Sequence, residues 1–333
     1  MKKVIAFLTV VLLIVSLAGC GEQSGEVTPN GEAKEKVSFV LDWTPNTNHT
    51  GVYVAEDQGY FEEAGLEVEI IQPPEGGALP LVAAGQAEFC VSFQEEIAAA
   101  LTSNNPLDVT AVGTILQHNT SGIISLKEKG ILSPKDMENK VYASWDTPIE
   151  KAILKQVISI EGGDYSKVKM VPNTVTDVIS ALQTDVDTVW IYYGWDGIAT
   201  EVKGLNTNYF AFKDIDPVLD FYTPVIAASP AYLQKNEDTA KKFLDAVARG
   251  YEYAIKNPEN AAEILVKYAP EVDLGIAKAS QKYLAGQYKA EVERWGYIDP
   301  ERWDNFYAWM YENELIPKKL ESGTGFTNEY LPE

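Results

Sequence analysis

The sequence predicts a two-lobed α/β fold with a cleft between the lobes, and three observations carry that expectation. The chain has 333 residues, a length more natural for two lobes than for a single core. From Val37 onward, short β-type runs alternate with amphipathic stretches in the rhythm of βαβ units. After Asp220 the pattern turns to long helices with little strand content, as expected of helices packed onto a finished sheet.

At 46% apolar and 23% charged, the chain is composed as a folded protein and not as a disordered one. Its 27 basic and 49 acidic side chains leave a net charge of -22, which excludes the basic footprint of a nucleic-acid binder. Seven Trp and 18 Tyr are a heavy aromatic load for an acidic chain, and such rings suit a flat organic ligand.

Met1-Lys2-Lys3 is a basic start, and Val4 to Val15 is an apolar run too short for a spanning helix of about twenty residues. Residues 1–19 therefore read as an export signal. Leu17-Ala18-Gly19-Cys20 resembles the lipobox of bacterial lipoproteins, in which cleavage precedes a cysteine that is then acylated. With Cys20 acylated, Cys90 is the one remaining thiol, so no disulfide and no cysteine-based metal cluster is expected. Residues 20–36 are polar, glycine-containing and without periodicity, as in a flexible tether.

Lobe one is expected over residues 37–121 and 226–333. Its strands are read at 37–41, 66–71, 89–91 and 109–116, with helices near 51–58, 77–84 and 94–101. Lobe two is expected over 122–225, with strands at 123–126, 141–144, 168–171 and 189–191 and helices at 148–160 and 175–183. The 148–160 helix has the strongest signals. Thr147 is placed to cap it, Pro148 fits its first position, Glu150 stands three residues after the cap, and Ile149, Ala152, Ile153, Gln156, Val157 and Ile160 repeat at helical spacing. Long helices follow near 240–256, 259–268, 276–287 and 300–314. Crossovers near 119–122 and 222–227 are the expected hinge.

With two histidines in all, and no HExxH, GxSxG, GxGxxG or phosphate-loop motif, the common hydrolase and nucleotide signatures are missing. The loops at strand ends are richer. In an open α/β sheet, ligands bind outside the carboxyl ends of strands. After the first strand comes Asp42-Trp43-Thr44-Pro45-Asn46-Thr47-Asn48-His49, where Trp43 can stack on a ring and Asn46 and His49 can donate or accept. Ser92, Gln94 and Glu95 follow the third strand, although Ser92 to Glu95 also fits a capping box. Trp145, Tyr192, Tyr193 and Asp196 follow strands of lobe two. Tyr192 and Tyr193 alternate faces if the strand continues, so one meets the ligand and one the core. Asp196 can accept from a ring amine or belong to the first turn of the next helix.

The run Leu41-Asp42-Trp43-Thr44-Pro45-Asn46-Thr47-Asn48-His49-Thr50-Gly51, continued by Gly59-Tyr60-Phe61, resembles the opening of the thiamine pyrimidine-precursor family. Phe326-Thr327-Asn328-Glu329-Tyr330-Leu331 resembles the family's end, so the resemblance covers about residues 37–331. The family holds substrate-binding lipoproteins of ABC importers that capture formylaminopyrimidine, and a fungal pyrimidine synthase that uses pyridoxal phosphate and its own histidine. Where the synthase has its cofactor lysine and, a turn later, that histidine, this chain has Ser92 and Glu96. Phe221-Tyr222-Thr223-Pro224-Val225 replaces the synthase's cysteine-rich segment. Schiff-base chemistry needs an amine, so both departures favour binding over catalysis.

The resemblance thus implies a type II periplasmic-type solute-binding fold with the ligand in the interlobe cleft. It implies a monomer without cofactor, lipid-anchored through Cys20 on the extracytoplasmic face of the cell membrane, working with an ABC permease and its ATPase subunits. The expected ligand is a small aminopyrimidine, met by Trp43, Asn46, His49, Ser92, Gln94, Glu95, Trp145, Tyr192, Tyr193, Asp196 and Thr223. Another solute on the same fold, riboflavin or a sulfonate, is the alternative, and a synthase-type enzyme a weaker one. The absence of arginine from these loops argues against a strongly anionic ligand.

Overall fold

The computed structural model describes residues 34–172 and 175–333. The expected export signal, Cys20 and most of the tether lie outside the described residues. In chain order the first block is β1 (Glu35–Val40), α1 (Thr50–Asp57), α2 (Tyr60–Glu63), β2 (Leu66–Ile71), α3 (Leu79–Ala83), β3 (Phe89–Ser92), α4 (Gln94–Thr102) and β4 (Thr110–Thr114). A second block runs β5 (Ser121–Leu126), β6 (Val141–Ser144), α5 (Pro148–Ile160), β7 (Lys169–Pro172), α6 (Val178–Leu182), β8 (Thr188–Tyr192), α7 (Ile198–Val202), β9 (Thr207–Ala211) and α8 (Phe212–Ile215). The chain then returns through β10 (Val225–Ala228) to α9 (Pro230–Lys235), α10 (Glu237–Lys256), α11 (Pro258–Tyr268), α12 (Leu274–Leu284) and α13 (Pro300–Glu312).

Two five-stranded sheets result, ordered β2-β1-β3-β10-β4 and β7-β6-β8-β5-β9. In the first, β1, β2 and β3 are parallel while β10 runs antiparallel between β3 and β4. In the second, β6, β7 and β8 are parallel and β5 runs antiparallel between β8 and β9. This is the expected two-lobed α/β architecture, each lobe built on one sheet.

Four details depart from the sequence reading. Strand β1 begins at Glu35, inside the expected tether, because it pairs with β2 from Glu35↔Leu66 onward. Residues 225–227 of the expected crossover 222–227 belong to the buried strand β10, whose four apolar residues are too few to show alternation. Strand β9 has no counterpart in the sequence reading; its Thr207, Asn208, Tyr209 and Phe210 are all half-buried, which blurs the period of two. At α5, Thr147 Oγ1 does accept the Glu150 N–H (3.4 Å), but the Glu150 carboxylate turns away from the cap toward β6.

The first sheet is covered on one face by α1 and α10. Ala240, Phe243, Leu244, Val247, Tyr251 and Ala254 recur at helical spacing and are fully buried. Phe243 stacks on Phe89 with centroids 4.2 Å apart. Helices α1 and α10 cross where neither carries a side chain: a Cβ on Gly250 would lie 1.9 Å from the Gly51 carbonyl oxygen. On the other face Val40 and Cys90 pack among Ile97, Trp303 and Tyr307.

The chain passes between the sheets over 115–120 and returns over 212–224, and the two crossovers are tied side by side. Asn119 Nδ2 donates to the Leu219 carbonyl (2.8 Å), and the Asn119 N–H donates to Asp220 Oδ1 (2.9 Å).

Candidate functional site

The parallel register Val40↔Cys90 brings the carboxyl ends of β1 and β3 together, and Ala143↔Val189 does the same for β6 and β8. The loops after these four strands supply the candidate residues, as the switch-point rule requires.

After β1, Trp43 keeps 59% of its surface in solvent. Asn46 and His49 instead build the loop. Asn46 Oδ1 accepts the Asn48 N–H and its Nδ2 donates to the Thr44 carbonyl, so the amide serves the turn Thr47–His49. His49 is fully buried; its Nδ1 accepts the Asn46 N–H at 3.2 Å, which leaves Nε2–H to donate to Asp42 Oδ1 at 2.6 Å. His49 therefore orients Asp42, a carboxylate the sequence reading passed over. Its signal was there: an acid directly at a strand's carboxyl end, beside a tryptophan.

After β3 the capping-box reading fails. The residue preceding α4 is Phe93, without a side-chain cap, and Ser92 Oγ donates to Glu96 Oε2 at 3.0 Å. Gln94 is fully buried and saturated, donating to the Trp303 carbonyl and accepting the Tyr222 N–H. It bolts α4 to the return crossover and to α13. Glu95 is different: its Oε2 is shielded from solvent and has no hydrogen-bond partner. Burial, reinforced by the neighbouring Glu96 charge, pushes Glu95 up to about 8. Burial and the Asp42 charge raise Glu96 too, against the Ser92 hydrogen bond.

From the second sheet, Tyr192 faces this cluster. Burial raises its phenol, and the charges of Glu95, Asp42 and Glu96 add to the shift. Thr223, on the return crossover, is 1% exposed beside Tyr192, and its hydroxyl lacks a hydrogen-bond partner of ordinary geometry. Tyr193 turns the other way, bonding Glu201 and packing on Tyr209 and Tyr283. Asp196 lies in a π-turn, Tyr193–Gly197, where burial and the Asp177 charge lift it to about 6. Trp145 leans on Trp190 (centroids 5.6 Å apart), and its loop is held by buried Glu150, which accepts from the Trp145 N–H, Tyr142 Oη and Ser144 Oγ. The sequence pattern marks Glu150 only as a helix-start residue.

The principal charges acting on Glu95, Glu96, Tyr192 and Asp196 are thus all carboxylates. Next to this site Ser280 Oγ of α12 reaches across to the second lobe and donates to the Gly194 carbonyl; within its own lobe Ser280 Oγ lies 2.5 Å from Thr47 Oγ1, and Tyr288 Oη donates to the Thr47 carbonyl. A separate groove of about 800 Å³ lies at the crossovers between 213–220 and α13, where His118 pairs with Asp220 and Gln156 with Asp216.

The family model described as NMT1/THI5 like matches residues 46–261. The chain is 24% identical, over 98% of its length, to a formylaminopyrimidine-binding protein of Halalkalibacterium halodurans, 99% of which is covered. It is 25% identical, over 90% of its length, to the 4-amino-5-hydroxymethyl-2-methylpyrimidine phosphate synthase of Legionella pneumophila, covering 93% of that protein. Among solved structures, the periplasmic aliphatic sulphonate binding protein of Escherichia coli aligns at TM-score 0.67 and 16% identity, over 86% of this chain and 90% of that one. The last likeness shows the fold, that of periplasmic solute-binding proteins.

Proposed function

Since the chain belongs to the NMT1/THI5-like family, we propose that it captures a thiamine pyrimidine precursor, of formylaminopyrimidine or hydroxymethylpyrimidine type, between its lobes. In this reading it is the extracytoplasmic binding component of an ABC importer, anchored through a lipid on Cys20, and it performs no chemistry on its ligand.

The sign of the cleft carries the reading. Asp42, Glu96 and Asp196 are acceptors suited to an exocyclic amine, with the shielded Glu95 carboxyl beside them, and charge-assisted bonds of this kind contribute about 1.5–3 kcal/mol each. Trp43 holds apolar surface in water that a ring laid against it would cover, at about 25 cal/mol per Å². Tyr192 is the partner ring across the cleft. Closure of the lobes over the ligand would be sealed by the Ser280–Gly194 contact and read by the permease.

A sulfonate ligand is disfavoured on the same ground, because its oxygens would face carboxylates. A synthase role is disfavoured by Ser92, a hydroxyl bonded to Glu96 where the resemblance puts a cofactor lysine.

The test is a thermal-shift titration of residues 20–333 against formylaminopyrimidine, hydroxymethylpyrimidine, thiamine, riboflavin and taurine. A ligand at 100 times its Kd adds about 2.7 kcal/mol. A shift with the aminopyrimidines alone supports the reading; a shift with taurine or riboflavin alone overturns it.

A further inference from the structure

Two shielded polar atoms that lack a hydrogen bond of ordinary geometry flank the same phenol. Glu95 Oε2 comes from α4 of lobe one and Thr223 Oγ1 from the return crossover, and Tyr192 of lobe two stands beside both. Apart from its own backbone N–H the Glu95 carboxylate meets no donor, and an oxygen shielded from water without one is costly. Around Glu95 stand Glu96 on its own helix, Tyr307 on α13, Tyr192 on β8 and, acting on the same cluster, Asp42 after β1. None is a cation. Glu96 already accepts from Ser92, and Tyr307 Oη donates to the Gln94 carbonyl.

A carboxyl group that holds its proton removes the charge and presents an O–H donor next to a C=O acceptor. That pairing is complementary to one edge of an aminopyrimidine, where an amine N–H stands next to a ring nitrogen. We propose that Glu95 is the specificity-determining residue of the cleft, sharing one proton with the amine-and-ring-nitrogen edge of the ligand in a two-point pair, while Thr223 and Tyr192 hold the substituents beside it. The proton balance is the same in either form. The carboxyl O–H donates to the ring nitrogen and its carbonyl accepts from the amine, or the proton has crossed and the carboxylate accepts from both. The complex therefore contains one proton more than a carboxylate and a neutral ring would bring. A sulfonate, which carries only acceptors, cannot complete the pair. The inference rests on the aminopyrimidine reading and gives it a chemical basis.

The free Glu95 carboxyl titrates at about 8, so the proton is already present at neutral pH and must be taken up at higher pH. Calorimetric titration with hydroxymethylpyrimidine from about pH 6.5 to about pH 9.5 reads this directly. The expected affinity of the unaltered protein is flat to about pH 8 and then falls by up to about tenfold per pH unit. Glu95→Gln, a fixed donor and acceptor, is expected to bind within about tenfold of it at pH 7 and to lose the alkaline fall. Thr223→Val is expected to bind more weakly throughout, with the fall intact. Independently of any variant, the enthalpy measured in buffers of different ionisation heat at about pH 9 is expected to report close to one proton taken up per ligand. Uptake near zero there, or a Glu95→Gln profile that still falls, overturns the inference. Absence of binding by the unaltered protein at every pH overturns the aminopyrimidine reading itself.

Discussion

His118 Nδ1 lies 2.7 Å from Asp220 Oδ2, so an imidazole on the outgoing crossover is joined to a carboxylate on the returning one. The other ring nitrogen meets Glu291 Oε2 at 2.9 Å, and Arg302 Nη1 reaches the same Asp220 oxygen at 3.1 Å. The Asp220 hydrogen bond, aided by Glu291, raises His118 above its usual 6.5 against the opposing effect of burial. Burial alone would raise Asp220, but His118, the Asn119 N–H and Arg302 together hold it below 3.8.

A group whose pKa is raised on folding contributes stability that is complete below its unfolded value and is lost as pH climbs through the folded one. His118→Ala is therefore expected to destabilise the protein most below about pH 6.5 and progressively less above it. Urea denaturation of both proteins at about pH 5.5 and about pH 8.5 measures the difference, and equal losses at the two values would remove His118 from this role. Asp220 works in the opposite sense: its contribution is present above 3.8 and disappears as pH falls through its lowered value.

Trp43 is exposed and makes little of the fold, so Trp43→Ala is expected to change stability by less than about 0.5 kcal/mol. Its affinity for an aminopyrimidine should drop at least about tenfold, while the surface change Glu62→Ala leaves affinity untouched. Calorimetry on the two variants decides; equal affinities would place the ligand elsewhere.

Glu150 is a buried carboxylate with three donors, Tyr142 Oη at 2.6 Å, Ser144 Oγ at 2.7 Å and the Trp145 N–H at 3.0 Å. Replacing it with Ala strands all three, for an expected loss of at least about 2 kcal/mol. Glu150→Gln, which keeps an acceptor, should lose less. A denaturation midpoint unchanged in the Ala variant would contradict this.

At Gly194 a Cβ would come within 2.6 Å of Leu284 Cδ2, so a side chain there pushes α12 off the π-turn. Gly194→Val is expected to lower affinity at least about tenfold and to enlarge the radius of gyration in small-angle scattering with ligand present. If both stay at the unaltered values, the contact does not govern closure.

Much of this was legible in the sequence where local rules suffice. The βαβ rhythm, the α5 start at Thr147-Pro148 and the loops at strand ends follow from patterns a few residues long. What escaped depends on partners far along the chain. Gln94 looks like a ligand residue in its own loop, yet Trp303 and Tyr222 use both of its polar atoms. Asn46 and His49 look equally free, and the backbone of their own turn and Asp42 claim them. Conversely Glu95 fits a cap, and only the fold shows its oxygen left without a donor.

The two bonds from Asn119 to Leu219 and Asp220 place the start and finish of the second lobe's chain shoulder to shoulder. Residues 120–219 are therefore a closed excursion from a framework that is continuous through β4 and β10, which themselves pair. The first sheet is thus completed by β1, β2, β3, β4 and β10 without a strand from the excursion. Trp43 and Glu95 on one side and Tyr192 and Asp196 on the other are therefore carried by separate loops of one chain, and any motion between them turns on two crossovers that lie against each other.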